Sequence, residues 1–503
     1  MKRLVLAVVI LVLLASCSSG GHKSAAAGGA TGLLSPSGSG SSSGAGSISG
    51  LTSSGTSGTS GASGASGSSA SGLTSSGGSP STIALTPQAL ATGGGLAGAE
   101  SSTPPSIPAK NGNVTVGFFI VDTGQACSQY GAKCQGAADR PYVQAMVNWA
   151  NAHGGAGGYH INPVYYEVNV LNGDFATQAA AACAALAEDD HAFISMGSWV
   201  DASPQFADCA AQHGMIDIDG SEYPFGDSDY SSLGQYLYQP GRIRPERWVP
   251  AYVNDLINRG FLTKGSKIGL VRLDIPIFGQ IDTSIIKPIL AAHGMSLTTD
   301  IAVSEPQGTD DIGALEAQSS SAVLHMKSAG VNRVIFLDAS AYLTGAILEE
   351  GEAQSYDPPD GVASTQAPYA MIQNGLGPQF AGAVGISWLP GNDVDPAQDP
   401  GGVGAKVCAQ VTDAAGLNGS TGRDIYCDTI FYLRAVLANH PPLTAAAFQA
   451  ASNAVGSAAL ASSTYTTFFG PGIQDGPSTY RDTVYTASCN CFTYTGKISS
   501  FPT

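Results

Sequence analysis

Two short loops carry residue types suited to holding a small polar molecule: Gly197-Ser198-Trp199 and Gly220-Ser221-Glu222-Tyr223. Backbone N–H groups and the hydroxyls of Ser198 and Ser221 could satisfy a carboxylate with neutral hydrogen bonds, while Trp199 or Tyr223 covers apolar surface. Glu222 adds an acceptor with charge. Asp274 with Phe278, and Asp338 with Ser340, offer further negative charge against an ammonium, a pairing that strengthens out of water. Asp122 and Thr123 form a similar position. Plainer readings stand beside these: Trp199 packing beneath its own loop, and the serines and Asp338 or Ser340 capping helices. The loops contain no Arg or Lys, which disfavours a strongly anionic ligand and favours a zwitterion or a neutral polar solute.

Nothing comparable points to catalysis. No Gly-x-Ser-x-Gly elbow follows a strand beyond residue 112, and no His-Glu-x-x-His occurs. His153, His213 and His293 each precede Gly at a helix end, where they can meet the last carbonyls. Setting Cys17 aside, eight cysteines remain: Cys127, Cys134, Cys183, Cys209, Cys408, Cys427, Cys489 and Cys491. Proximity pairs them as Cys127–Cys134, Cys183–Cys209 and Cys408–Cys427, with Cys489–Cys491 requiring a sharply bent backbone. No Cys-x-x-Cys is present, so neither a zinc site nor a cofactor is expected.

The elements positioning these residues begin at Asn113, where a Gly/Ser/Ala/Thr-rich stretch gives way to apolar runs alternating with helix-length segments. That order is the signature of an α/β fold with a parallel sheet. Strands are predicted over 114–121, 160–168, 191–197 and 214–219, with helices over 140–153, 175–186 and 204–213 between them. A second series follows Gly241-Arg242-Ile243-Arg244-Pro245, with helices over 246–259, 282–293, 310–328 and 343–354 and strands over 267–273, 297–303 and 333–338. Strand 383–388, helix 428–438 and irregular sequence complete it. Roughly 390 residues exceed one ordinary core, so two lobes are expected.

Before them, Lys2 and Arg3 precede about 11 apolar residues, too few to span a bilayer. Residues 1–16 read as a signal peptide. Its end, Leu14-Ala15-Ser16-Cys17, resembles the bacterial lipobox, which implies lipidation of Cys17 and anchoring at the extracytoplasmic face of the cell membrane. Residues 17–112 then read as anchor plus disordered tether, with a root-mean-square span on the order of 50 Å. The formal charge of −17, from 21 Lys+Arg and 38 Asp+Glu, argues against a nucleic-acid partner.

The segment Trp149-Ala150-Asn151-Ala152-His153-Gly154-Gly155-Ala156-Gly157-Gly158-Tyr159-His160-Ile161 resembles the helix-end motif of type I periplasmic binding proteins, particularly the branched-chain amino-acid-binding-like proteins of ABC transporters. Ile194–Ser198, 267–274 and 331–338 match in order. The resemblance implies two Rossmann-like lobes joined by a three-strand hinge. Lobe 1 would comprise 113–240 and 383–465, lobe 2 would comprise 241–382, and 466–503 is assigned to neither. Crossings would fall near 239–244, near 382 and beyond 462. Ligand would sit between the lobes, outside the carboxyl ends of the strands. The implied role is capture of an amino acid, related amide or small acid for an ABC transporter permease. The alternative is a ligand-sensing surface domain that signals to a protein partner.

Overall fold

The computed structural model describes residues 112–122, 139–169, 174–197, 204–308, 311–339, 341–399, 401–417 and 425–502. The segments read as signal peptide and tether, with Cys17, Thr123, Cys127, Cys134, Ser198, Trp199 and Ser340, lie outside them.

Nearly every expected strand belongs to one of two sheets. The first contains β1 (Asn113–Asp122), β2 (His160–Asn169), β3 (Ile194–Gly197), β4 (Ile216–Asp219) and β5 (Leu237–Tyr238), all parallel, in the order β2-β1-β3-β4-β5. Val114, Val116, Phe118 and Ile120 enter one core, Phe119 another, so β1 is apolar on both faces, as a covered parallel strand must be. Helices α1 (Asp139–Ala152), α2 (Phe175–Ala184) and α3 (Gln205–Gln212) flank it, with Cys183–Cys209 joining α2 to α3.

After α4 (Asp227–Leu233), α5 (Pro245–Asn258) opens the second lobe. Its sheet contains β6 (Ile268–Leu273), β7 (Leu297–Val303), β8 (Arg333–Leu337), β9 (Asp360–Val362), β10 (Val384–Ser387), β11 (Thr479–Thr486) and β12 (Cys491–Ser500), ordered β12-β11-β10-β9-β8-β6-β7. Three expectations are corrected here. β10 pairs with β9 in the second sheet, so the chain does not return to the first lobe at 383. Val394 still packs in the second core and Val407 in the first, which places that crossing between them. The closing residues are not irregular: β11 pairs antiparallel with β10 and β12 with β11, and Tyr485, Phe492 and Phe501 enter the second core. The helical run expected over 282–293 begins at Pro276. It passes through a π turn, Asp282–Ile286, in which the Lys287 N–H reaches back to the Asp282 carbonyl immediately before Pro288, a residue with no N–H to give.

Helices α6 (Ile312–Ala329) and α7 (Tyr342–Gln354) pack on the second sheet, whereas α8 (Val403–Ala414), α9 (Ile425–Val436) and α10 (Ala445–Ser452) cover the first. Cys408–Cys427 joins α8 to α9. Among the described residues no helix is long and apolar enough to cross a membrane.

The glycine-rich segment after α1 has a local physical cause. Asn151 donates to the Ile161 carbonyl at 2.9 Å and accepts the Ile161 N–H at 2.8 Å, clamping the helix end to β2. Gly157 turns the chain at φ +60°, where a Cβ would lie 1.6 Å from the Leu437 carbonyl oxygen. Gly157→Ala is therefore expected to lower unfolding free energy by about 2 kcal/mol or more, from positive-φ strain and the forced shift of Leu437. Urea titration checks it.

A pH effect arises in α5. Burial pushes the Asp255 carboxyl up to about 6, Asp482 adds to the rise and Arg259 opposes it. A raised folded pKa contributes stability that is complete below the unfolded value, roughly 4, and is lost as pH rises through about 6. Asp255→Asn should therefore gain stability relative to the wild type between pH 4 and 8, measured as the difference in melting temperature. A constant difference would contradict this reading.

Candidate functional site at the facing strand ends

Carboxyl-end loops of the two sheets meet. The Phe175 N–H, at the start of the helix after β2, donates to the Gln307 carbonyl after β7 at 3.1 Å. Gly226, beyond β4, lies so close to the helix after β6 that a Cβ there would stand 2.3 Å from Ile277 Cδ1. Glu222, also beyond β4, feels the charge of Asp338 at the end of β8. Loops at the carboxyl ends of the two sheets are thus in direct contact.

The loop after β4 is built by Asp219. Its Oδ1 accepts the Ser221 N–H at 2.8 Å, and its Oδ2 accepts the Ser221 hydroxyl at 2.7 Å and Gln239 Nε2 at 2.6 Å. Ser221 Oγ also accepts the Tyr223 N–H at 3.3 Å. The sequence suggests Ser221 as a partner for a ligand carboxylate or as a helix cap; its enclosed hydroxyl does neither in this structure, bonding within the turn to Asp219.

What this turn presents is Glu222. Arg242 Nη2 donates to Glu222 Oε1 at 3.0 Å, and Arg242 Nε donates to the Ser221 carbonyl at 3.2 Å. The second oxygen, Oε2, is buried with no hydrogen-bond partner. Burial pushes the Glu222 carboxyl up, Arg242 pulls it back, and the charge of Asp338, at the end of β8, pushes it up again. An enclosed carboxylate oxygen without a partner is costly, so this atom is a ready acceptor for an ammonium, N–H or hydroxyl group.

The other expected residues divide. Asp338 is fully buried; its Oδ1 accepts the Ala339 N–H at 2.8 Å and its Oδ2 accepts the Thr344 N–H at 2.9 Å and hydroxyl at 2.8 Å. It organises the start of α7 and contributes field at the groove. Phe278 is corrected: it is completely enclosed in the second core and faces no groove. Asp274 is exposed, 3.7 Å from Arg272 Nη1, and no contact brings it to Glu222. Asp122 closes β1 at the same sheet edge. Arg242 is the residue that sequence reasoning missed. The expectation that no cation attends these loops fails because Arg242 reaches them from the crossing between lobes. Its one signal was the Arg-rich run 241–245.

That crossing is tied to another. Gln239 bridges to Asp475 as a short parallel pair, with Gln239 N–H to Gln474 O at 2.9 Å and Gly476 N–H to Gln239 O at 2.8 Å. Asp475 is fully buried between Arg244, whose Nε and Nη2 lie 3.0 and 2.8 Å from Oδ1, and Arg247, whose Nη1 lies 2.7 Å from Oδ2. Among the described residues no group of three or more His, Cys, Asp or Glu could hold a metal ion.

No family model matches this chain, and no curated protein sequence matches it. Solved structures do. A solute-binding protein of an ABC transporter from Rhodopseudomonas palustris BisB5, in complex with 3,4-dihydroxybenzoic acid, matches at 13% identity and TM-score 0.55, covering 77% of this chain and 97% of that one. A possible leucine/isoleucine/valine-binding protein from Rhodopirellula baltica matches at 12% identity and TM-score 0.53, covering 79% and 98%. An ABC transporter substrate-binding protein from Desulfitobacterium hafniense, in complex with Leu, matches at 11% identity and TM-score 0.50, covering 76% and 100%. At these identities the likeness is one of fold: two α/β lobes arranged as in these solute-binding proteins.

Proposed function

We propose that this chain captures a small polar solute between its lobes, leaves it chemically unaltered, and delivers it to an ABC transporter permease from a lipid-anchored position outside the cytoplasm. The observation that carries this reading is the partnerless, buried Glu222 Oε2 where the strand ends of the two lobes face each other. A group donated to that oxygen replaces the water it lost on burial, and contact with both walls favours the closed arrangement.

Arg242, reaching Glu222 from the crossing between lobes, sets one acceptor and one cation side by side, a pattern suited to a zwitterion such as an amino acid and also to amides and small acids. The structural neighbours in complex with Leu and with 3,4-dihydroxybenzoic acid support a carboxylate-bearing or related solute. The anchor reading rests on Leu14-Ala15-Ser16-Cys17, and Cys17→Ala should release the protein to the soluble fraction.

Transport and sensing separate in cells. Deleting the gene should abolish high-affinity uptake of the solute that the purified protein binds, and restoring it should return uptake. Unchanged uptake together with loss of a transcriptional response to that solute would favour the sensing alternative.

A further inference from the structure

The tip of the β11–β12 hairpin carries a disulfide that the solute-binding reading does not use. Cys489 and Cys491 are joined across one residue, Asn490. The other two described disulfides close separations of 26 and 19 residues and have at least one fully buried cysteine each, whereas Cys489 is exposed and Cys491 half-buried. A bridge across one residue removes very little freedom from an unfolded chain, so stapling the fold does not explain it.

The tip is held without it. Thr486 pairs with Cys491 in the ladder, the Thr486 and Thr493 hydroxyls lie 3.0 Å apart, and the Tyr485 hydroxyl donates to Asn490 Oδ1 at 2.7 Å. Asn490 takes a left-handed φ of 49° and sits against Gly377, where a Cβ would stand 1.9 Å from Asn490 Oδ1. The two sulfurs therefore stay adjacent whether bonded or not.

The two sulfurs differ in surroundings. Gln398 Nε2 points at Cys491 Sγ from 3.5 Å, while Cys489 Sγ lies exposed, 3.3 Å from the Thr486 carbonyl oxygen. An amide N–H directed at a sulfur stabilises negative charge there, which makes Cys491 the better leaving group and Cys489 the accessible target.

We propose that Cys489–Cys491 is a thiol–disulfide exchange site that reacts with thiols outside the cell membrane. A thiolate attacks Cys489 Sγ, forming a mixed disulfide and breaking the Cys489–Cys491 bond. The electron pair goes to Cys491 Sγ, which accepts the Gln398 N–H as a thiolate and then takes up the proton that the attacking thiol lost to solvent. A second thiol attacks the mixed disulfide at its non-protein sulfur; Cys489 leaves as a thiolate and takes a proton. Two thiols are oxidised to one disulfide, and the protein pair is reduced to two thiols.

Gln398 makes this site more than decoration. It lies between Val394 and Val407, where the chain crosses between lobes, and its Nε2 also donates to the Phe492 carbonyl at 3.1 Å; the Tyr494 hydroxyl donates to neighbouring Asp399 Oδ2 at 3.0 Å. Exchange at the tip thereby acts on residues that anchor a crossing.

The test uses the full chain under native conditions in buffers of reduced and oxidised glutathione at graded ratio, with free thiols trapped by alkylation and located by peptide mass. Cys489 and Cys491 should be alkylated at ratios that leave Cys183–Cys209 and Cys408–Cys427 intact, and glutathione should be found on Cys489. Gln398→Leu should slow opening of the bridge about tenfold, the effect of removing a hydrogen bond to a charged sulfur. Cys491→Ser, which leaves Cys489 as a single thiol, should melt within a degree or two of the wild type; a large fall in melting temperature would show a structural bridge and overturn the proposal. Reduction of all three bridges together, or of this one only after unfolding, would overturn the proposal, as would glutathione on Cys491 in place of Cys489.

Discussion

Asp475→Ala should lower the unfolding free energy by about 3–5 kcal/mol, the cost typical of leaving a buried charge without its partner. Asp475 is completely enclosed and receives the Arg244 N–H at 3.1 Å as well as the guanidinium groups of Arg244 and Arg247. Its removal strands two cations. Arg244 keeps Asp227 at 2.8 Å and the Gly472 carbonyl at 3.1 Å, but Asp227 is largely exposed and its pairing is weakened by water. Arg247 keeps only carbonyls, those of Pro502 at 2.9 Å and residue 475 at 3.1 Å. Because these bonds join the chain where it crosses between lobes, the variant should also unfold less cooperatively. Urea unfolding followed by fluorescence of Trp248 and Trp388, both buried in the second lobe, reads the loss. A change below about 1 kcal/mol would show that the knot is no more than a surface-strength pair.

Glu222→Gln should weaken solute binding at least about 30-fold, the equivalent of roughly 2 kcal/mol for losing one partner of a desolvated charged contact. The substitution preserves shape, and a side-chain carbonyl can still accept from Arg242, so the protein without solute should melt within a degree or two of the wild type. Calorimetric titration separates the two effects. Affinity should also fall on acidification, since the raised Glu222 carboxyl takes up a proton earlier than an exposed one and then no longer opposes a cation. Equal affinity in the variant would move the solute away from this loop.

The longer parallel strands were legible as β-rich apolar or alternating segments separated by helix-length stretches. Leu297–Val303 emerges with the bounds expected, and β1 and β2 differ from expectation only at their ends. Two of the missed strands, Leu237–Tyr238 and Asp360–Val362, are two and three residues long, too short for any periodicity. The closing hairpin was illegible for another reason. In β11 only positions 479, 483 and 485 are fully buried, and most of β12 is half-buried or exposed, so Thr, Tyr and Arg mask the alternation that an edge hairpin shows.

At the groove, Glu222 was legible as a polar residue in a strand-end loop. Ser221 and Asp338 were equally legible, and each proved to be a local hydrogen-bonding residue, because a strand-end hydroxyl or carboxylate serves a turn and a ligand with the same chemistry. Phe278 shows the limit of counting from a strand end: its position in the helix turns it inward. The pairing of Arg242 with Glu222 and of Arg244 with Asp475 shows only in the folded contacts, the latter two being 231 residues apart.

One measurement bears most directly on the idea of a groove that closes around a guest: thermal unfolding of the purified protein against a panel of amino acids, amides and small aromatic and aliphatic acids. At least one solute should raise the melting temperature in proportion to the logarithm of its concentration, with a gain of about 2.7 kcal/mol at a hundredfold excess over its dissociation constant, and Glu222→Gln should erase that shift. A flat response across the panel at millimolar concentration, or a shift undiminished in the variant, would contradict it.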